Sequence, residues 1–287
     1  MLMKRLSLSF LLCIASVTSL FAAAAITEDD YQKHVAALKG KLPADGGFSV
    51  CIEKPFVVVG DIPAPALRGV AENSVRWAVR LLRKDHFKDD PDHIIDIWLF
   101  KDATSYRKNV KEFFGDTPTT PFGYYAPRHR ALIMNIATGT GTLIHEMVHP
   151  YMRANFPNCP AWFNEGLGSL YEQCGERNGF IVGFTNWRLA GLQKAIEAGK
   201  LPTFKELCST SDREFYGEDR GTNYAQARYL LYYLQERGLL HRFHREFLAN
   251  QKDDPTGYKT LVKILGEEDM GAFQKKWEQF VMKLKFP

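Results

Sequence analysis

The amino-acid sequence predicts an α+β protein with a small mixed sheet and a mainly helical C-terminal lobe. β-branched runs alternate with amphipathic segments in the first half, whereas the second half shows mostly helical periodicity. No linker, low-complexity tract or internal repeat divides the chain. We therefore expect one domain over residues 26–287, in which a sheet-containing lobe (about 26–151) and a helical lobe (about 152–287) share one cleft.

Each predicted element of the first half depends on a local pattern. Gly40 and Pro43 end the first amphipathic helix, Gly60 closes the first β-branched run, and Gly115 stops the third helix. The expected order is a helix over Thr27–Lys39, a strand over Phe56–Val59, a helix over Pro65–Phe87, a strand over Ile94–Phe100, a helix over Ala103–Phe114 and a hairpin of Phe122–Ala126 and Ala131–Ile136.

Glycine and proline residues also punctuate the second half. After two helices described below, helices are expected over Trp187–Ala198, Phe204–Leu207, Tyr224–Arg237, Leu240–Asn250, Tyr258–Leu265 and Met270–Lys285. His241 and His244 have a spacing that could hold a metal ion, but flanking arginines favour a solvated basic helix face.

The N-terminus has the three parts of a secretory signal peptide. Met1–Arg5 is short and basic, Leu6–Phe21 is apolar, and Ala22–Ala25 offers small residues for cleavage near Ala25. An uncleaved anchor is the alternative, although the apolar core of about 16 residues is slightly short for a membrane span. We expect an exported protein, periplasmic or secreted, with no stable membrane insertion after cleavage of residues 1–25.

The charge of the chain is nearly balanced. The sequence has 37 Lys and Arg residues and 33 Asp and Glu residues, for a formal charge of +4, and two of the basic residues belong to the signal segment. This composition gives no case for a nucleic-acid partner. The sequence leaves the oligomeric state open.

Four cysteines would remain after cleavage: Cys51, Cys159, Cys174 and Cys208. An even count in an exported chain indicates disulfides. A helix over 161–173 would hold Cys159 and Cys174 about 22 Å apart, well beyond the roughly 7 Å that a disulfide permits. We favour a pair between Cys174 and Cys208, with free buried thiols as the alternative.

The segment His145–His149 reads His-Glu-Met-Val-His and lies in a helix predicted over Thr142–Tyr151. Histidines four residues apart on a helix face the same way, so both imidazoles can bind one zinc ion. Glu146 beside them can act as a general base. The alternative is a pair of hydrogen-bonded core histidines.

Glu165, sixteen residues past the second histidine, is well placed to be a third, carboxylate ligand. Three protein ligands leave a fourth position for water, as in catalytic zinc sites. Pro150 opposes continuation of the first helix, and Pro160 suits the first turn of the next. Gly166 and Gly168 beside Glu165 indicate close approach of the two helices. The alternative role for Glu165 is a negative charge favoured by the helix dipole.

Together, His145–His149 and Trp162–Gly166 (Trp-Phe-Asn-Glu-Gly) resemble the gluzincin metallopeptidases. The second element is especially similar to that of the aminopeptidase N group and of smaller bacterial relatives with a peptidase-MA-like domain. The resemblance implies a zincin-like fold in which His145, His149 and Glu165 bind one Zn²⁺ ion and Glu146 is the general base.

The chain departs from the aminopeptidase group in two respects. It has no Gly-x-Met-Glu-Asn element, which in that group binds the free amino terminus of the substrate, and it is far shorter. We therefore expect an exported zinc metallopeptidase with a peptide or protein substrate, and an endopeptidase rather than an aminopeptidase. A non-catalytic zinc-binding protein of the same fold and a zinc hydrolase of a non-peptide substrate are the alternatives.

An oxyanion-stabilising group is also expected, because relatives use a downstream Tyr or His. Tyr224 is the first candidate, since it opens a helix after a polar, glycine-containing stretch; the alternative is an ordinary core tyrosine. Tyr171 is the second candidate, and Arg228 could assist or be structural.

The strand Phe122–Ala126 is the expected edge of the sheet beside the zinc helix. Pro121 and Pro127 at its ends suit an edge strand better than a central one. An extended peptide could pair with such an edge as an added strand.

Overall fold

The computed structural model describes residues 26–44, 47–217 and 221–286. The predicted signal peptide and its cleavage site lie outside the described residues. The fold is α+β, as the sequence predicts, with a five-stranded mixed sheet and a mostly helical second half. No helix of the described residues is both long and apolar enough to cross a bilayer.

The first half contains the five-stranded sheet and four α-helices. Its elements are α1 Glu28–Lys39, β1 Ser49–Glu53, β2 Phe56–Gly60, α2 Ala64–Val70, a π-helical segment Ala71–Arg76, α3 Trp77–Asp85, β3 Ile95–Phe100, α4 Ala103–Phe114, β4 Gly123–Ala126 and β5 Ala131–Asn135. Thr27 caps α1 through a capping box, and Gly115 ends α4 in the left-handed conformation at φ 70°. Local signals therefore set these two helices as predicted.

The second half is helical apart from one hairpin. Its elements are α5 Gly141–Asn155, α6 Ala161–Leu170, β6 Cys174–Arg177, β7 Phe180–Gly183, α7 Arg188–Glu197, α8 Phe204–Cys208, α9 Asp212–Gly217, α10 Thr222–Glu236, α11 Leu240–Asn250, α12 Tyr258–Leu265 and α13 Met270–Lys283. The sequence analysis missed β1, the β6–β7 hairpin and α9.

The sheet has the strand order β1-β2-β3-β5-β4. β2, β3 and β5 run parallel, whereas β1 and β4 pair antiparallel at the two edges. The prediction of an edge strand next to the motif helix is therefore confirmed. β4 pairs with β5 on one side only, and its other side faces α5, where the backbone N–H of Tyr125 donates to a side chain of that helix.

The two faces of the sheet are covered differently. Alternate strand residues such as Val58, Ile97 and Leu132 belong to a large core that continues into α5, α6 and the C-terminal helices. Their neighbours, such as Val59 and Trp98, belong to a smaller core with α1 and α4. α5 is thus packed between the sheet and the helical half. In this position it can present side chains to a cleft beside β4.

α5 continues through Pro150 to Asn155. The predicted helix over Thr142–Tyr151, which Pro150 was expected to end soon after His149, is therefore too short at its C-terminal end. A proline inside a helix costs about 3 kcal/mol, but Tyr151 and Met152 beyond it are buried in the large core. At the end of the helix, the side-chain amide of Asn155 donates to the Tyr151 carbonyl. Tertiary burial therefore outweighs the local signal of Pro150.

The glycines of α6 serve two different contacts. A Cβ on Gly168 would lie 3.2 Å from three ring atoms of His145, so this glycine permits the predicted approach to α5. A Cβ on Gly166 would instead lie 3.2 Å from the side chains of Ala227 and Leu231 on α10. Gly166 is therefore explained by close packing against α10, a neighbour of α6 that the sequence did not predict.

The four cysteines Cys51, Cys159, Cys174 and Cys208 are free thiols. The favoured pair of Cys174 and Cys208 is not formed in the structure. Cys208 is buried at the end of α8, whereas Cys174 begins the separate β6–β7 hairpin. Burial raises the pKa of both thiols, to about 12 for Cys174, which favours their protonated form.

Candidate metal centre

Three side chains from two helices converge beside the β4 edge. His145 and His149 lie one turn apart on α5, and Glu165 lies on α6. Oε2 of Glu165 is 3.2 Å from Nε2 of His145 and 3.8 Å from Nε2 of His149. One ligand atom of each residue lies within 4.8 Å of those of the other two. This group could hold a metal ion.

The other ring nitrogen of each histidine faces an oxygen acceptor, and that of His149 is hydrogen-bonded to it. Nδ1 of His149 lies 2.9 Å from Oδ1 of Asn164, an atom that can only accept, so Nδ1 carries the proton and Nε2 keeps its lone pair. Nδ1 of His145 lies 3.3 Å from Oε1 of Glu172. Such outer contacts orient metal-binding imidazoles and fix their tautomer. Two Nε2 atoms and one carboxylate oxygen thus form a donor set that fits a divalent transition metal.

Glu172 is itself held in a buried polar network. Nε and Nη2 of Arg188 donate to its two oxygens at 2.8 and 2.6 Å, and Nδ2 of Asn186 donates at 2.9 Å. Burial favours the neutral acid, but the contacts with Arg188 and His145 outweigh it and lower the pKa of Glu172 to about 2. Glu172 is therefore an anion that can stabilise a partial positive charge on the His145 ring.

Glu165 is also kept ionised. Burial would raise its pKa, but His149, His145 and a hydrogen bond from Tyr216 lower it to about 2. Oη of Tyr216 donates to Oε1 at 2.8 Å, which leaves Oε2 facing the histidines. In the same cluster burial disfavours a charged His145, yet the contacts with Glu165 and Glu172 raise the pKa of His145 well above its usual value. A cation at this point, proton or metal, is therefore electrostatically favoured.

Glu146 lies beside the ligand group and contacts the sheet edge. Its Oε2 accepts a hydrogen bond of 3.0 Å from the backbone N–H of Tyr125 on β4 and lies 3.7 Å from Nε2 of His149. Burial raises the pKa of Glu146, although the two histidines oppose the shift. A raised pKa makes a carboxyl a stronger proton acceptor than an ordinary one, as a general base requires.

The residues described above line one cleft of about 670 Å³. Tyr224 also lines it, and its hydroxyl makes no hydrogen bond to the described residues. Burial and the charge of Glu165 raise the pKa of Tyr224, so the phenol remains protonated and can donate. The guanidinium carbon of Arg188 lies 5.2 Å from its ring centroid. Tyr224 therefore lies in the same cleft as the group of His145, His149 and Glu165.

Tyr171 and Arg228, the other two candidates for the oxyanion site, do not reach the cleft. Tyr171 is fully buried, and its hydroxyl lies 2.6 Å from Nε2 of His86. Arg228 is also fully buried and donates to the backbone carbonyls of Ser169 and Phe184. Arg228 is thus a structural arginine that joins α10 to α6 and to the segment after β7.

His241 and His244 do not form a solvated basic face together. His244 is only 3% exposed, and its Nδ1 lies 3.1 Å from Nδ1 of His86 at the end of α3. The ring centroid of His241, which is partly buried, lies 5.1 Å from that of His86. The expectation is wrong because α11 packs this side against α3, and the flanking arginines point to the other side.

Sequence reasoning missed three residues that support the centre: Asn164, Glu172 and Tyr216. Asn164 directly precedes the predicted carboxylate ligand, and Glu172 follows that ligand by two helical turns, so both were open to inspection as outer-shell acceptors. Tyr216 belongs to a short helix that was not predicted, although Ser211 and Glu214 form a capping box at its start.

Comparison with known proteins adds no family to this description. No family model matches the chain, and no curated protein has significant similarity to it.

Proposed function

We propose that this chain is a zinc-dependent metallopeptidase of the gluzincin kind, exported and acting on internal peptide bonds. The observation that carries the proposal is the geometry of His145, His149 and Glu165. Each imidazole presents Nε2 to the same carboxylate oxygen, while Nδ1 of His149 is hydrogen-bonded to Asn164 and Nδ1 of His145 lies 3.3 Å from Oε1 of Glu172. Ordinary core histidines do not require this double arrangement around a third ligand atom.

The position of Glu146 supports hydrolysis over simple metal binding. A zinc ion in such a site, when bound, acidifies a water molecule and polarises the scissile carbonyl. Glu146 would take the proton of the attacking water and pass it to the leaving amine. The Tyr125 N–H orients the Glu146 carboxylate through Oε2, which leaves Oε1 for the proton. A structural metal site would not need this base.

Tyr224 would stabilise the negative charge that develops on the carbonyl oxygen. Its phenol is protonated and has no competing hydrogen bond within the described residues. A preorganised donor of this kind contributes most when it forms its bond only in the transition state. Tyr216 is less suited to this role because its hydroxyl already donates to Glu165.

The cleft favours an endopeptidase over an aminopeptidase. Its described carboxylates are Glu146, Glu165 and Glu172, and each is engaged at the metal centre or by Arg188. None of them is free to bind the ammonium group of a substrate amino terminus. Apart from the Tyr125 N–H, which donates to Glu146, the outer edge of β4 could instead pair with an extended chain that continues past the metal in both directions.

The experiment measures metal content and peptide hydrolysis on the same samples. Elemental analysis should include zinc and iron, because two histidines and a carboxylate also suit ferrous iron. We expect one zinc per chain and cleavage of a quenched-fluorescence peptide library. Glu146→Gln should keep the zinc and lose roughly 10²–10⁴ in kcat. His149→Ala should lose both the metal and the activity.

An exposed acidic residue outside the cleft provides the control. Glu112→Gln on α4 should change neither zinc content nor activity. A wild type that binds zinc but cleaves no peptide would favour a binding protein or a hydrolase of another substrate. A wild type without metal, together with unchanged folding of His149→Ala, would exclude the metal centre.

A further inference from the structure

Arg153 is a cleft residue without a charged partner among residues 26–44, 47–217 and 221–286. It lies on the exposed side of α5, one helical turn beyond His149, and lines the same cleft as the metal centre. No carboxylate of the described residues forms an ion pair with it. The separation of four positions between His149 and Arg153 corresponds to about 6 Å along the helix axis. Arg153 therefore offers a guanidinium close to, but outside, the metal centre.

Without Arg153, the positive and negative charges of the described residues that line the cleft would sum to zero once a divalent metal is bound. Glu146, Glu165 and Glu172 supply three carboxylates, and Arg188 neutralises one of them through its two hydrogen bonds to Glu172. A divalent metal would neutralise the other two. Arg153 is then the surplus charge in the described part of the cleft, and it favours a bound anion there.

Two exposed aromatic side chains lie at another part of the cleft, next to the start of α5. Phe122 and Trp187 line it with 48% and 52% of their surface exposed, and both also line an adjoining cavity of about 570 Å³ next to the start of α5. Large exposed aromatic rings at a cavity are typical of a site for an apolar side chain. β4 runs from the Phe122 end towards Tyr125, which lines the same cleft as Arg153. The metal centre lies between these two ends.

We infer that the substrate is a peptide with an acidic side chain at the Arg153 end and a large apolar side chain at the Phe122–Trp187 end. An extended chain advances about 3.3 Å per residue, so the acidic residue would lie about two positions from the scissile bond. A carboxylate suits Arg153 because the planar guanidinium can bind both of its oxygens. This inference rests on the proposed function for the cleavage it describes, but the recognition by Arg153 can be tested without cleavage.

The test compares matched peptides with Glu or Gln at each position near an aromatic residue. We expect the wild type to cleave the best Glu peptide about tenfold faster, in kcat/KM, than its Gln counterpart, the size of one charge-assisted hydrogen bond. Arg153→Gln should abolish this preference, and Trp187→Ala should raise KM for peptides with the aromatic residue. The control is Arg107, an exposed arginine of α4 that forms no ion pair with the described residues. Arg107→Gln should leave both the preference for the Glu peptide and the KM for aromatic peptides unchanged.

Binding provides an arm that is independent of hydrolysis. Calorimetry on zinc-loaded Glu146→Gln should show about tenfold tighter binding of the Glu peptide, and the difference should shrink as salt is added. Equal binding of both peptides, or a preference that survives Arg153→Gln, would overturn the inference. A preference that depends on Arg153, in a wild type that cleaves no peptide, would support the recognition while contradicting the proposed peptidase.

Discussion

Glu172 links His145 of the candidate metal centre to Arg188. It lies 3.3 Å from Nδ1 of His145 on one side and binds Arg188 on the other. We expect Glu172→Gln to weaken zinc affinity by about 10–100-fold, because outer-shell partners set the orientation and basicity of the ligand. Competition with a zinc chelator would measure the change, and Glu112→Gln is the control. Unchanged affinity in a folded Glu172→Gln protein would contradict this role.

Tyr216 and Tyr224, two of the cleft tyrosines, should affect different properties when each is replaced by phenylalanine. Tyr224→Phe removes the free phenol, so we expect kcat to fall about 10²–10³-fold while zinc affinity stays the same. Tyr216→Phe removes the hydrogen bond to Oε1 of Glu165, so zinc affinity should fall about tenfold or more. Steady-state kinetics at saturating zinc and chelator competition distinguish the two. The opposite result would exchange the roles assigned to Tyr216 and Tyr224.

The contact between α5 and α6 depends on a helix position without a side chain. Gly168→Ala would place Cβ 3.2 Å from His145, whose ring is held by Glu165 and Glu172 and has little freedom to move. We expect Gly168→Ala to lower the free energy of unfolding by about 1–3 kcal/mol and to weaken zinc binding. Urea unfolding with and without zinc would show both effects.

A glycine in a different helix is the matched control for this substitution. Gly191 lies on the exposed side of α7, and a Cβ there would meet no atom within 4 Å. Gly191→Ala should therefore raise the free energy of unfolding by up to about 1 kcal/mol through helix propensity alone. Equal effects of Gly168→Ala and Gly191→Ala would show that the α5–α6 contact is not tight.

The helical half is joined to α3 through a buried histidine cluster that should respond to acid. Burial and neighbouring histidines lower the pKa of His86 well below its usual value, and that of His244 to about 4. In the unfolded chain a histidine titrates near pH 6.5. The neutral histidines therefore stabilise the fold above about pH 6.5, and the stability is lost as the pH falls towards 4. For His244 the loss is on the order of 3 kcal/mol.

Urea unfolding between pH 7.5 and pH 5 measures this dependence. Glu165 and Glu172, with pKa values of about 2, contribute stability that is lost mainly below about pH 4.5, outside most of this range. His244→Gln should be less stable than the wild type at pH 7.5 but should lose less stability on acidification. Parallel pH profiles for the two proteins would show that His244 does not carry the effect.

Much of the fold was predictable because its signals are local. The bounds of α4, α11 and α12 agree with the sequence prediction, since a cap, a glycine and apolar periodicity all lie within the helix or next to it. The short β6–β7 hairpin escaped prediction because Cys174–Arg177 is mostly polar and has no β-branched run. Its neighbours, and not its own residues, decide its conformation.

The sequence by itself indicated the group of side chains that could hold a metal ion and the order of most elements. Helical spacing places His145 and His149 on one face, and hydrogen bonding within a few residues sets the bounds of many helices. Only the tertiary structure decided that α5 continues past Pro150, that Glu172 and Tyr216 support the ligands, and that His244 is buried against His86. These contacts join residues far apart in the chain, where burial and charge in the folded protein outweigh any local preference.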